Sequence, residues 1–152
     1  MIKKLALANR DEAQALLQIQ LPAYKIEAER IGFDGIPALR DTVETLQACN
    51  EEGFGWWENG MLAGAITYEY EEEQLVICRL VVDPEQFRKG IGEALLKHLL
   101  AENQHVARIA VHTGAANVPA INLYKKHRFV ESEEREIAPG IKLVRLQREH
   151  QT

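Results

Sequence analysis

The spacing of hydrophobic and polar positions changes several times along the chain. Residues 2–8 mix apolar and lysine positions in a short extended pattern, predicting a first strand. Asn9 and Asp11 both suit a helix N-cap, and Ala15, Leu16 and Ile19 then recur at helical spacing. That helix is expected to end near Leu21, because Pro22 interrupts the pattern. Residues 24–31 predict a further helical turn or two, residues 32–37 a loop, and residues 41–49 another helix on Val43, Leu46 and Ala48.

The middle of the chain reads as strands. Asn59-Gly60 sits between residues 55–58 and 61–70, the composition of a tight hairpin turn. A second turn at residues 71–73 leads into residues 75–82, apolar almost throughout and therefore central in a sheet. Ile91, Ala94, Leu95, His98 and Leu99 share one face of a helix over residues 90–102. A strand follows over residues 108–113, then a helix from Pro119 to Lys126, then strands over 129–137 and 141–146 around Pro139-Gly140. The strand–helix–strand unit from 75 to 113 needs a crossover, so its two strands are expected to be parallel. The predicted fold is a single α/β (α+β) domain over residues 1–152, with a mixed, mostly antiparallel sheet of seven strands and helices on both faces.

Composition narrows the function classes. The 152 residues suit one domain, and 46% hydrophobic with 27% charged residues is ordinary for a soluble globular chain. A formal net charge of −5 argues against a general nucleic-acid binder. No run is long and apolar enough to cross a membrane, and the first residues lack a signal-peptide core. Cys49 and Cys78 lack metal-ligand spacing and read as reduced thiols of a cytoplasmic protein, and no metal site is expected.

Two segments carry chemistry. The first runs from Arg79 to Leu99, with Gly90 and Gly92 at the start of a helix and Arg88 and Lys89 beside them. Unpaired N–H groups and the positive dipole end at a helix start favour phosphate, and glycine lets it approach. The pattern lacks the lysine and Ser/Thr of a Walker loop, and the third glycine and later acid of a dinucleotide fingerprint. A simple glycine turn is the alternative. The second segment places Asn117 at a helix entrance, with Ala120, Leu123, Tyr124 and His127 on one face. A lone tyrosine there also fits a plain core role.

Together the segments resemble the GNAT superfamily of acyl-CoA-dependent N-acetyltransferases. That family's Gln/Arg-x-x-Gly-x-Gly/Ala motif after a Val-x-Pro strand end appears as Val82-Asp-Pro-Glu-Gln-Phe-Arg-Lys-Gly-Ile-Gly92. Its later Asn-x-x-Ala-x-x-Leu-Tyr-x-x-x-Gly-Phe motif appears as Asn117-Val-Pro-Ala120-Ile-Asn-Leu123-Tyr124-Lys-Lys-His-Arg128-Phe129. The similarity covers residues 55–146, with two departures: Phe87 replaces the usual Gln/Arg, and Arg128 the usual glycine. The resemblance implies a splayed parallel strand pair and acetyl-CoA (coenzyme A after transfer) as co-substrate. It also implies direct transfer to the amine of a small molecule or peptide. Leu80, Val81 and Val82 would face the pantetheine arm, with a Val81 or Val82 N–H polarising the thioester carbonyl. Arg88, Lys89, Gly90, Ile91, Gly92 and Glu93 would cradle the pyrophosphate, and Asn117 and Ala120 would flank the arm. Tyr124 would protonate the departing thiol.

The base is left open by the sequence. Glu69, on one face with Thr67 and Glu71, is the first candidate and His112 the second; each also suits a purely structural role. Arg79 interrupts an apolar strand and calls for an acidic partner or a place in the cleft. Cys78 is expected in the core. Tyr24, Glu27 and Phe33 fall in the helical region that covers the acceptor side in such enzymes. A homodimer through a sheet edge or the last hairpin is compatible with the chain. The competing readings are a non-catalytic acyl-CoA-binding or sensor domain, which needs no Tyr124, and a nucleotide-binding module.

Overall fold

The computed structural model describes residues 1–150. The elements run β1 (Ile2–Leu5), α1 (Arg10–Ile31), α2 (Val43–Ala48), β2 (Glu52–Glu58), β3 (Met61–Glu71), β4 (Gln74–Val82), α3 (Ile91–Glu102), β5 (Arg108–Gly114), α4 (Val118–Lys126), β6 (Val130–Ala138) and β7 (Ile141–Glu149). Seven strands form one sheet in the order β1-β2-β3-β4-β5-β7-β6, antiparallel except for the β4–β5 pair. Asn59 and Gly60 both take positive φ, 52° and 77°, which closes the β2–β3 hairpin as the sequence predicts.

Two cores lie on opposite faces of the sheet. One gathers Leu95, Leu96 and Leu99 of α3 and Tyr124 of α4 against Ile66, Leu75, Ile77 and Val111. The other gathers Leu16 and Ile19 of α1 and Leu46 of α2 against Ala65 and Val81. The first strand is shorter than predicted, and the first helix is longer: α1 runs unbroken through Pro22 to Gly32, which ends it at φ 70°. Proline frees the C=O four residues back, here on Gln18. Both Pro22 and Gln18 are exposed, so that carbonyl faces water. Asn9 caps the helix start through Asp11 and Glu12 N–H, while Leu16, Ile19 and Gln20 hold the sheet side.

One irregularity in β4 shapes everything that follows. Tyr68 pairs with Ile77 and Thr67 with Arg79, so Cys78 is left over as a bulge. A bulge shifts the side-chain alternation by one. Before it, Leu75 and Ile77 enter the α3 core; after it, Leu80 and Val82 do so, and Val81 enters the α1 core. Arg79 is thereby turned away from the α3 core toward α1 and α2.

Candidate active site

The parallel pairing of β4 with β5 stops after Ile77 and Val111, and the strands diverge beyond the Cys78 bulge. Backbone groups are left facing the gap. Asp83 N–H donates to Ala63 at 2.8 Å, and alternation makes Ala65–Val81 the next hydrogen-bonded pair. Leu80 and Val82 therefore turn their N–H and C=O groups toward the gap. Of the two amides expected to polarise a carbonyl, Val82 points there and Val81 is engaged by β3. On the other side, Ala115 N–H donates to Lys142 at 2.8 Å, which by the same alternation turns the backbone of His112 into the gap. A cavity of about 310 Å³ fills the opening.

The glycine turn stands at one end of this cavity. Arg88 and Gly90 both have left-handed backbones, φ 71° and 77°, and α3 begins at Ile91. Left-handed residues before a helix start gather N–H groups into an anion-binding concavity. Nothing lies within 4 Å of where a Gly90 Cβ would stand, so the backbone is open to a ligand. Phe87, Arg88, Gly90, Ile91 and Gly92 line the cavity. Lys89 and Glu93 stand outside that lining. Lys89 donates to Gln86 at 2.6 Å. Glu93 is paired with Lys126 at 2.8 Å and His127 at 3.3 Å, and these partners hold its carboxyl down to about 2.

Helix α4 supplies the opposite wall. Asn117 is 4% exposed; its Nδ2 donates to Glu27 at 2.7 Å, while its buried Oδ1 has no partner. An orphaned amide oxygen in a cleft wall is a ready acceptor for a ligand N–H. The pattern of open backbone groups, anion nest and orphaned amide suits an extended amide-bearing phosphate ligand such as coenzyme A. Ala120, Leu123 and Tyr124 continue this wall. Tyr124 is 4% exposed and packs on Phe129 at 5.3 Å between ring centres. Its hydroxyl makes no hydrogen bond among the described residues. Burial first, then the Glu27 carboxylate, keeps the phenol protonated well above its ordinary range. Arg128, where the motif has glycine, takes φ 71°, so the turn after α4 keeps its left-handed shape.

A second cavity, of about 350 Å³, adjoins the first on the α1 side. Tyr24, Glu27, Cys78, Arg79, His112 and Thr113 line both, forming the throat between them. Phe33 lines the second cavity. Arg79 has its acidic partners here. Nε and Nη2 bond Glu51 at 2.8 and 3.1 Å, and Nη1 bonds Asp41 and, at 3.1 Å, Gln20. Burial alone would raise the Asp41 pKa, but the Arg79, Thr45 and Gln20 hydrogen bonds outweigh it and lower it.

Cys78 is exposed in the throat rather than packed in the core, because the bulge leaves it unpaired. Its thiol is still partly desolvated by the throat walls, and this, with Glu51 and Glu69 close by, pushes it up to about 12, so it is no ready nucleophile. Burial, then Arg145 and Arg135, lowers the His112 pKa and keeps its imidazole neutral near neutral pH. Glu69, opposite Val76 on β3, lines neither cavity. Asp41 and Glu51 as partners of Arg79 escape sequence reasoning, since both come from distant polar stretches without spacing signals.

Comparison with known proteins agrees with this geometry. The acetyltransferase (GNAT) family profile matches residues 13–129. The chain is 46% identical over 131 residues to the UPF0157 protein YqkA of Bacillus subtilis, covering 86% of this chain and 38% of that protein. It therefore spans well under half the length of that relative. It is 30% identical over 112 residues to the [Ribosomal protein bS18]-alanine N-acetyltransferase of Escherichia coli K12, covering 72% of this chain and 74% of that enzyme. A crystal structure of the ribosomal-protein-S18-alanine N-acetyltransferase from Escherichia coli superposes with a TM-score of 0.76 at 22% identity, covering 100% and 96% of the two chains. The PaiA N-acetyltransferase of Thermoplasma acidophilum, solved in complex with coenzyme A, gives a TM-score of 0.74 at 13% identity over 98% and 99%. The seven-stranded sheet with its one parallel pair, splayed beyond Cys78, is the architecture of the acetyltransferases it superposes on. The chain belongs to the acetyltransferase (GNAT) family. Among the described residues no helix is long and apolar enough to cross a membrane.

Proposed function

We propose that the chain transfers an acetyl group from acetyl-CoA directly to a primary amine, with Tyr124 as general acid and His112 as proton acceptor. Acetyl-CoA supplies a thioester whose acetyl carbon is open to attack. The observation that carries this reading is the throat: two cavities meet there, and neutral His112 stands between them. An amine attacks only when neutral, so a group near the throat must take its proton. The His112 imidazole lies in both linings, whereas Glu69 lies in neither. The Val82 N–H would stabilise the negative charge that develops on the carbonyl oxygen. The Tyr124 hydroxyl, kept protonated by its burial, would give its proton to the departing sulfur; this transfer is uphill, because the phenol lies above its ordinary pKa of about 10 and a thiol near about 8.5. Arg88 and the open N–H groups from Gly90 onward would hold the pyrophosphate, and Asn117 Oδ1 an amide N–H of the pantetheine arm.

The coenzyme-bound neighbour and the family match support the donor. The ribosomal-alanine enzyme supports an amine acceptor. The test is an acceptor screen with acetyl-CoA, reading free thiol with time and the acetylated product by mass. Amine-dependent thiol release that Tyr124→Phe suppresses supports the reading. Coenzyme A binding with no transfer to any amine of a broad panel assigns the chain to acyl-CoA sensing instead.

A further inference from the structure

The second cavity carries a charge pattern that amine transfer in general does not require. Ile31, Phe33, Ile36 and Leu143 give it apolar walls, and Glu27, Asp41 and Glu51 give it three carboxylates. Among the described residues that line it, Arg79 alone carries a fixed positive charge. That guanidinium is already held by Glu51, Asp41 and Gln20. Asp41 and Glu51 are likewise occupied by Arg79, Thr45 and Thr67. Arg30, beside Glu27, lines the first cavity only. Arg135 and Arg145, beside His112, are outside the lining, and Arg145 bonds Ser132, Gln147 and Gln74.

Glu27 differs from the other two acids. One oxygen accepts from Asn117, and the other has no hydrogen-bond partner among the described residues. It sits in the throat, where the reacting nitrogen has to arrive.

We infer that the second cavity takes a primary ammonium on an apolar stem that bears no carboxylate, with Glu27 as the ammonium's counter-ion. This rests on the reading of the adjoining cleft as an acetyltransferase site. An ammonium gains a charge-assisted hydrogen bond to the open Glu27 oxygen. An acceptor carboxylate beside the amine would meet Glu27 and a pair of acids that outnumber their Arg79 partner, and find no free cation in the cavity lining, a desolvated mismatch that acts against such ligands. The volume of about 350 Å³ suits a compact arylalkylamine or one terminal residue of a peptide. Free amino acids are thereby excluded, and amines or amidated N-termini of similar shape are admitted.

Three probes of matched shape test this: phenethylamine, phenylalaninamide and phenylalanine, titrated calorimetrically into the coenzyme A-loaded protein. The first two are expected to bind at least about tenfold more tightly than phenylalanine. Glu27→Gln keeps an oxygen for Asn117 and is expected to weaken both amines by about tenfold, with coenzyme A affinity within about threefold of wild type. Phenylalanine binding as tightly as phenethylamine overturns the inference, as does absence of amine binding at about 10 mM. Unchanged amine binding in Glu27→Gln overturns the counter-ion role. Failure of coenzyme A itself to bind overturns the reading of the first cavity, separately from these outcomes.

Discussion

Asn117 donates to Glu27 at 2.7 Å, joining the start of α4 to the second half of α1 across the mouth of the cleft. The bond fixes two groups at once: it holds Asn117, with its orphaned Oδ1, in the wall of the donor cavity, and it leaves the second Glu27 oxygen without a hydrogen-bond partner among the described residues. Asn117→Asp replaces the donor with a second carboxylate against the first. Two carboxylates in one site cannot both ionise cheaply, so one pKa rises above the ordinary range. A raised folded-state pKa gives stability that is present at low pH and lost as pH rises through it. The variant is therefore expected to be less stable than wild type by about 1–3 kcal/mol at pH 8, with the gap narrowing toward pH 5. Thermal unfolding across pH checks this; a gap that does not change with pH rules out the shared-proton account.

Tyr124 packs its ring in the α3 core while its hydroxyl bonds nothing among the described residues. Removing the hydroxyl should therefore spare the fold and strike the chemistry. Tyr124→Phe is expected to lower kcat by about 10²–10⁴-fold, with the KM for acetyl-CoA little changed. The expected melting temperature is within a few degrees of wild type. Unchanged kcat, in conditions where transfer limits the rate, would remove the residue from the acid role.

Arg79 holds two acids whose side chains are 15% and 10% exposed, Asp41 and Glu51. Arg79→Met leaves both without their cation, a loss expected to cost about 3–5 kcal/mol by urea unfolding at pH 7. Adding Asp41→Asn and Glu51→Gln should recover much of that loss, because the uncompensated charge is gone. The wild type carries a pH signature of the same network. The folded-state pKa of Asp41 is lowered, so its contribution is fully present above the ordinary carboxyl pKa of about 3.9 and fades as pH falls through the lowered value. Asp41→Asn should flatten stability against pH below about pH 4. A triple variant no more stable than Arg79→Met would show that packing, not charge, dominates there.

Much of this was legible from spacing. The Asn59-Gly60 turn, the glycine pair at α3 and the Asn117-to-Phe129 segment around α4 each place a chemically special residue at a fixed offset from an apolar pattern. The bulge at Cys78 was not legible. Residues 75–82 are apolar on both faces apart from Arg79, so the alternation does not mark where the register slips. Yet that slip sends Arg79 to the α1 side and opens Cys78 to the throat. The unbroken α1 was hidden for a different reason: proline's local penalty is outweighed where the freed carbonyl faces water and the opposite face holds a core. The Arg79 partners and the Glu27–Asn117 bond join residues 28 to 90 positions apart, which periodicity does not register.

His112 lines both cavities, and burial together with Arg145 and Arg135 lowers its pKa. A proton acceptor works in its neutral form, so activity should rise with pH through the His112 pKa. That midpoint is expected below the ordinary imidazole value of about 6.5. In His112→Gln the acidic limb of kcat/KM should disappear from this position, and kcat at pH 7 should fall by about 10²-fold or more. Glu69→Gln should keep the wild-type limb and near-wild-type kcat, since Glu69 touches neither cavity. Measuring both profiles under transfer-limited conditions separates the two bases. A limb that persists in His112→Gln and vanishes in Glu69→Gln would reverse the assignment.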